Sequence, residues 1–109
     1  MHELALMESI VAAVEARVRP ARVGRLRLQI GQLAGVLPET VEFCFALCAR
    51  GTALDGARLE IDEISGRGRC QRCGGEVAMQ TTADRCPCGS AEVEVMGGRE
   101  LRIATLELQ

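Results

Sequence analysis

Tryptophan and tyrosine are absent from this 109-residue chain and phenylalanine occurs only twice, so aromatics make up 2% of it. Such a chain lacks the ring platforms on which bases stack. Its 13 basic and 15 acidic residues leave a formal charge of -2, which gives no field for a polyanion. Nucleic-acid binding is therefore not expected. No run approaches the roughly 18 apolar residues that a membrane-spanning helix needs. The first residues also lack the basic opening, long apolar stretch and small-residue cleavage site of a signal peptide. These absences lead to the expectation of a cytoplasmic protein with no membrane partner. Histidine occurs once, as His2, so there is no HExxH pair and no second imidazole from which to build an open catalytic metal centre. A metal-dependent hydrolase using the terminal site ranks low for that reason. Gly31 and Gly35 do not make a phosphate loop, because the lysine and the serine or threonine of that motif do not follow them. No enzymatic activity is expected.

What remains is a chain that is 48% apolar, enough for one small aliphatic core. A fold of this size with so few large side chains needs a further source of stability. Six cysteines are present, and in a reducing compartment they read as metal ligands or buried thiols rather than a disulfide framework.

Apolar periodicity places the elements. Leu4, Met7, Ile10, Val11, Val14 and Val18 recur at three- and four-residue spacing, which predicts an amphipathic helix ending before Pro20. Leu26, Leu28 and Ile30 alternate with Arg25, Arg27 and Gln29, a strand with one wet face. Pro38 and Glu39 suit the first turn of a second helix, whose stripe is Val41, Cys44, Phe45 and Cys48 and which Gly51 stops. Strand character returns over residues 57–64. Residues 65–98 then hold four of the six cysteines and seven of the twelve glycines, too few aliphatics for a core of their own. After Gly97-Gly98, Leu101 and Ile103 alternate with charged residues, and Leu106 and Leu108 resume one step out of phase, which suggests a bulged last strand. The expected fold is α+β: a small sheet packed with two helices over residues 1–64 and 99–109, interrupted by a zinc-ribbon-like domain at residues 65–98.

Cys70-Gln71-Arg72-Cys73 is a two-residue knuckle, and Cys86-Pro87-Cys88 follows after twelve intervening residues. Four thiolates in two pairs at this spacing point to a structural Zn(II) site that stands in for the missing core. Four sulfur ligands leave no position for a reactive water. The second pair is one residue short, and Pro87 has no amide to offer a sulfur, so a distorted geometry is expected there. Cys44 and Cys48 share a helical face and read as small buried hydrophobes. At the amino terminus, the α-amine of Met1, the amide and imidazole of His2, and a carboxylate or amide of Glu3 can close around one ion in a plane, ligation that suits Ni(II) or Cu(II). Read from these residues alone, one short terminus is a weak motif, and the reading as a frayed end comes first.

Taken together, Met1-His2-Glu3-Leu4, Gln29-Ile30-Gly31, Phe43-Cys44-Phe45, Ala49-Arg50-Gly51-Thr52, the cysteine pairs and the closing Gly98-Arg99-Glu100-Leu101-Arg102-Ile103 resemble the HypA/HybF family over essentially the whole chain. That resemblance implies a nickel metallochaperone for [NiFe]-hydrogenase maturation, with Ni(II) as transferred cargo at Met1, His2 and Glu3 and Zn(II) held by Cys70, Cys73, Cys86 and Cys88. It also implies a nickel-handling GTPase and the [NiFe]-hydrogenase large-subunit precursor as partners, with urease maturation proteins for some members. Some relatives use an additional acidic ligand ahead of the second helix. Here that stretch is Val36-Leu37-Pro38, and Glu39 is the nearest carboxylate. The alternative reading is a zinc-ribbon protein-interaction module without a nickel role.

Overall fold

The computed structural model describes residues 3–109. The elements run α1 (Glu3–Val18), β1 (Val23–Gly31), α2 (Pro38–Ala49), β2 (Arg58–Ile64), β3 (Gly66–Cys70), β4 (Glu76–Met79), β5 (Val93–Gly97) and β6 (Leu101–Leu108). They form two three-stranded sheets, ordered β2-β1-β6 and β4-β3-β5. The α+β class expected from the periodicity is what the chain adopts. No helix among the described residues is long and apolar enough to cross a membrane. By its contacts the chain divides into two compact units.

The first unit comprises residues 1–28, 36–62 and 103–109. Glu3 opens α1, where its charge complements the helix dipole. Leu6, Met7, Val11 and Val14 turn inward at the spacing that the sequence shows. On α2, Val41, Cys44, Phe45 and Ala49 are buried, and α1 packs directly on α2. Pro38 starts α2, where its missing N–H has no helical partner to lose. Cys48, expected inside, is only half-buried, because α2 turns Ala49 rather than residue 48 toward the interior. Between the two edge strands, β1 contributes Val23, Leu26 and Leu28, all fully buried. The face opposite Leu26 and Leu28 carries an ion-pair ladder. Arg25 reaches Glu60 on β2 at 3.5 Å and Glu107 on β6. Arg27 grips Asp62 with two bonds, at 2.8 and 3.1 Å, the bidentate geometry that gives an arginine–carboxylate pair its directionality.

The second unit comprises residues 29–35 and 63–102. Along β3 the side chains alternate buried and exposed, so Gly66, Gly68 and Cys70 face inward and Arg67 and Arg69 outward. The glycine at 68 is there for space. A Cβ would meet the Met79 sulfur and a Val93 methyl, each at 2.6 Å, so two neighbouring side chains close over the bare backbone. β3 pairs antiparallel with both β4 and β5, with a register shift at Arg67/Gly68 against β5. The interior is small: Cys70, Val77, Met79 and Cys86, with Leu33, Val93 and Val95 packed against them. Leu33 arrives from a segment that precedes the cysteines by some distance in sequence. Its N–H donates to the Gly98 carbonyl at 2.7 Å, and the N–H of Gln32 donates to that of Ile64 at 2.8 Å.

Candidate metal centre

The cysteine pairs sit on two tight turns. The first leaves the end of β3 and folds back at Gly74, whose N–H donates to the Cys70 carbonyl at 2.9 Å. Gly74 has φ of 77°, a left-handed conformation that any larger residue would adopt at a cost. The second turn closes when the Gly89 N–H donates to the Cys86 carbonyl at 2.8 Å. Gly89 is left-handed too, with φ of 96°. The Cys86 N–H then donates to the carbonyl of Ser90 at 3.0 Å, so both ends of this loop are tied.

Backbone amides aim at the sulfurs. The N–H of Cys73 donates to Cys70 Sγ at 3.4 Å, that of Gly75 to Cys73 Sγ at 3.4 Å, and that of Cys88 to Cys86 Sγ at 3.5 Å. The last of these lies in the second, shorter knuckle. Pro87 has no N–H, but the shorter loop uses the amide one residue later, and the shortened pair keeps a sulfur contact like that of the longer one.

The four sulfurs, of Cys70, Cys73, Cys86 and Cys88, all lie within 4.8 Å of one another. Across the knuckles, Cys70 Sγ is 3.7 Å from Cys88 Sγ and Cys73 Sγ is 3.6 Å from Cys86 Sγ. A tetrahedral ion with zinc–sulfur bonds of about 2.3 Å separates its ligands by about 3.8 Å, so the residues present fit a four-thiolate centre. Cys70 and Cys86 are buried and Cys73 and Cys88 exposed, which places such an ion at the edge of the small interior. Among the described residues this is the one group of at least three cysteine, histidine or acidic ligands brought together.

The electrostatics suit the same purpose. The amide of Cys73 chiefly, with that of Arg72 and the neighbouring thiols, lowers the Cys70 thiol to about 6. At Cys86 the amide of Cys88 acts downward, but burial and the thiols of Cys88, Cys73 and Cys70 together outweigh it and push the group up to about 12. Four thiols this close release their protons as a set. A cation that takes all four sulfurs resolves their competition for protons.

Of the terminal ligands expected from the sequence, Met1 and His2 lie outside the described residues. Glu3 is half-buried, and its Oε2 accepts a hydrogen bond from the Leu37 N–H at 2.9 Å. Residue 37 is the cap of α2, so the first described residue of the chain is fastened to the stretch just ahead of Glu39. Glu39 itself is exposed. Periodicity had no means of showing the Glu3–Leu37 bond, since it joins two elements through one side chain and one amide. Leu33 was missed in the same way, its only sequence signal being an apolar residue between Gly31 and Gly35.

Comparison with known proteins follows the same lines. A family model described as "Hydrogenase/urease nickel incorporation, metallochaperone, hypA" matches residues 1–108. A hydrogenase maturation factor HypA from Nostoc punctiforme is 42% identical over 109 residues, which is 100% of this chain and 96% of that protein. The corresponding factor from Geobacter sulfurreducens is 43% identical over 110 residues, 100% of both chains. The solution structure of the Ni metallochaperone HypA from Helicobacter pylori matches with a TM-score of 0.68 over 99% of this chain and 97% of that one. At 22% identity that match speaks for the fold.

Proposed function

The chain belongs to the HypA family of nickel-incorporation metallochaperones, non-enzymatic factors of hydrogenase maturation, and from that premise we propose that Met1, His2 and Glu3 bind Ni(II) as cargo while Cys70, Cys73, Cys86 and Cys88 hold Zn(II). The family match over residues 1–108 carries the reading. The donor sets support it. Amine, amide and imidazole nitrogens form a tetragonal set that suits Ni(II), and four thiolates form a tetrahedral set that suits zinc.

Zinc, when bound, supplies a crosslink between two turns that have little apolar interior to join them. The chain's own residues do the remainder: amides of Cys73, Gly75 and Cys88 stabilise the sulfur charges, and Gly74 and Gly89 permit the turns. At the other site, the Glu3 carboxylate is engaged by the Leu37 amide, which favours the backbone amide of Glu3 as its donor atom and gives the carboxylate the task of holding the terminus near Glu39. A terminus is an accessible place for a cargo ion, and moderate affinity permits its release. The recipients are a nickel-handling GTPase of hydrogenase maturation and the [NiFe]-hydrogenase large-subunit precursor, with urease maturation proteins as further candidates, and the setting is the cytoplasm.

Calorimetric titration with Ni(II), on protein with an unmodified amino terminus and measured zinc content, tests the assignment beside His2→Ala. One His2-dependent nickel per chain is expected, with affinity falling on acidification because an amine of pKa ~8 and an imidazole of pKa ~6.5 must lose protons to bind. Unchanged affinity in His2→Ala would reject the terminal site. Zinc without specific nickel would return the chain to the interaction-module reading.

A further inference from the structure

Between α1 and α2, in the first unit, lies an open groove of about 440 Å³ lined on its apolar side by Leu4, Val11 and Leu47, with Glu8, Glu15 and the Cys48 thiol also in its wall. Its volume falls in the range of about 300–1,000 Å³ typical of clefts that take up a ligand or a partner's side chains. Leu4 is 45% exposed and Leu47 42%, so two leucines from different helices present apolar surface to the same opening. Glu8 has no hydrogen bond or ion pair among the described residues. Glu15 has only Arg19, a surface partner one helical turn away at 3.5 Å, and such pairs contribute little. Burial first, and the Glu8 charge second, push the Cys48 thiol up, so the carboxylate is felt inside the groove as well as in solvent. Glu8 and Glu15 are seven residues apart, two turns of one helix, which sets them about 10.5 Å apart along its axis on the same side.

We propose that this groove docks an amphipathic helix of a partner protein, its apolar stripe covering Leu4, Val11 and Leu47 and two basic side chains, two turns apart, meeting Glu8 and Glu15. An apolar floor with an acidic flank, of which only Glu15 has a weak surface partner, selects that chemistry over an acidic or a neutral helix, because like charges along the rim repel. The inference deepens the metallochaperone reading and rests on it only for the partner's purpose: Leu4 follows directly on the proposed nickel ligands, so a recipient seated here is brought to the end of the chain that carries the cargo.

The probe is a synthetic amphipathic peptide with leucines at helical spacing and two lysines seven residues apart on one flank, beside a control with glutamates in their place. Fluorescence anisotropy with the full, zinc-loaded chain should show binding of the lysine peptide and not of the control, and the bound peptide should slow alkylation of Cys48. Paired substitution Glu8→Lys with Glu15→Lys should weaken the lysine peptide about tenfold and admit the glutamate peptide, with helicity unchanged. Equal binding of both peptides, or alkylation of Cys48 that the lysine peptide does not slow, would overturn the proposal. So would sedimentation showing a dimer that the paired substitution dissolves, since a second copy would then be the occupant. Nickel titration of the same sample keeps the two ideas separate: loss of nickel binding with peptide binding intact strikes the metal assignment and upholds the docking surface.

Discussion

The first unit buries Met7, Val23, Leu26, Leu28, Val41 and Leu54 below 2% exposure, whereas the second has Ile30, Met79 and the thiol of Cys70 at that depth. The first is held as most small domains are, by aliphatic side chains removed from water, each contributing about 1.5–3 kcal/mol. Around its cysteines the second replaces that volume with glycine backbone and sulfur. One chain thus uses two solutions to the same shortage of large side chains, and the two should respond to different injuries.

The largest effect is expected from the metal. Cys70→Ser removes one of four sulfurs, and structural zinc sites carry an apparent binding energy of roughly 10–16 kcal/mol that is also folding energy. Amide exchange should lose its protection across β3, β4 and β5 while α1 and α2 keep theirs. A variant that retained both its zinc and its protection in β3 would show that the remaining contacts suffice and that the second unit resembles the first after all.

The converse injury is Leu26→Ala, in a strand with a sheet partner on each side. Its side chain is fully buried, and a loss of about 2–5 kcal/mol is expected from the lost transfer energy and the cavity. Denaturant unfolding followed by helical signal measures it. A loss under about 1 kcal/mol would mean that the core relaxes around the vacancy.

A smaller effect separates packing from metal within the second unit. Gly68→Ala leaves all four sulfurs in place but sets a methyl against the Met79 sulfur and Val93 and within 2.8 Å of the Glu94 carbonyl oxygen. Overpacking of this kind costs about 1–3 kcal/mol. Zinc should still bind one to one, with the unfolding midpoint lowered. Unchanged stability would show that the β4 and β5 side chains can withdraw from β3 without cost.

These contrasts also mark what could be read from the residue string. Both helices, β1 and β2 were legible because an apolar side chain every three or four residues, or every second one, reports directly on which face is covered. The cysteine centre was legible because ligand spacing is itself local. Less legible was anything set by contact between distant segments. Leu33 packs against the cluster of Cys70, Val77, Met79 and Cys86, yet no periodicity marks it. Cys48 and Ala49 both fall near the inner stripe of α2, and only the helix's rotation against α1 decides that Ala49 goes inside. At the Cys86-Pro87-Cys88 turn the sequence shows that Pro87 has no donor, but not that the Cys88 amide reaches the Cys86 sulfur.

The smallest predicted effect concerns the loop that follows β4. Asp84 accepts hydrogen bonds from the Gln80 N–H at 2.7 Å, the Thr81 hydroxyl at 2.8 Å and the Thr81 N–H at 3.3 Å. The Gln80 amide chiefly, then the Thr81 hydroxyl and amide, hold its carboxyl below the usual range. A carboxyl lowered by folding gives stability that is full above its ordinary pKa and is lost as the pH falls through the lower, folded value. At neutral pH the contribution is therefore entirely present, and Asp84→Asn, which keeps the shape and one acceptor, removes the charge-assisted part of it. Faster amide exchange at Gln80 and Thr81 is expected, with zinc content unchanged. Exchange accelerated throughout β3 and β5 would instead make this loop part of what holds the cysteine turns together, and the division between metal-held and side-chain-held structure would have to be drawn inside the second unit.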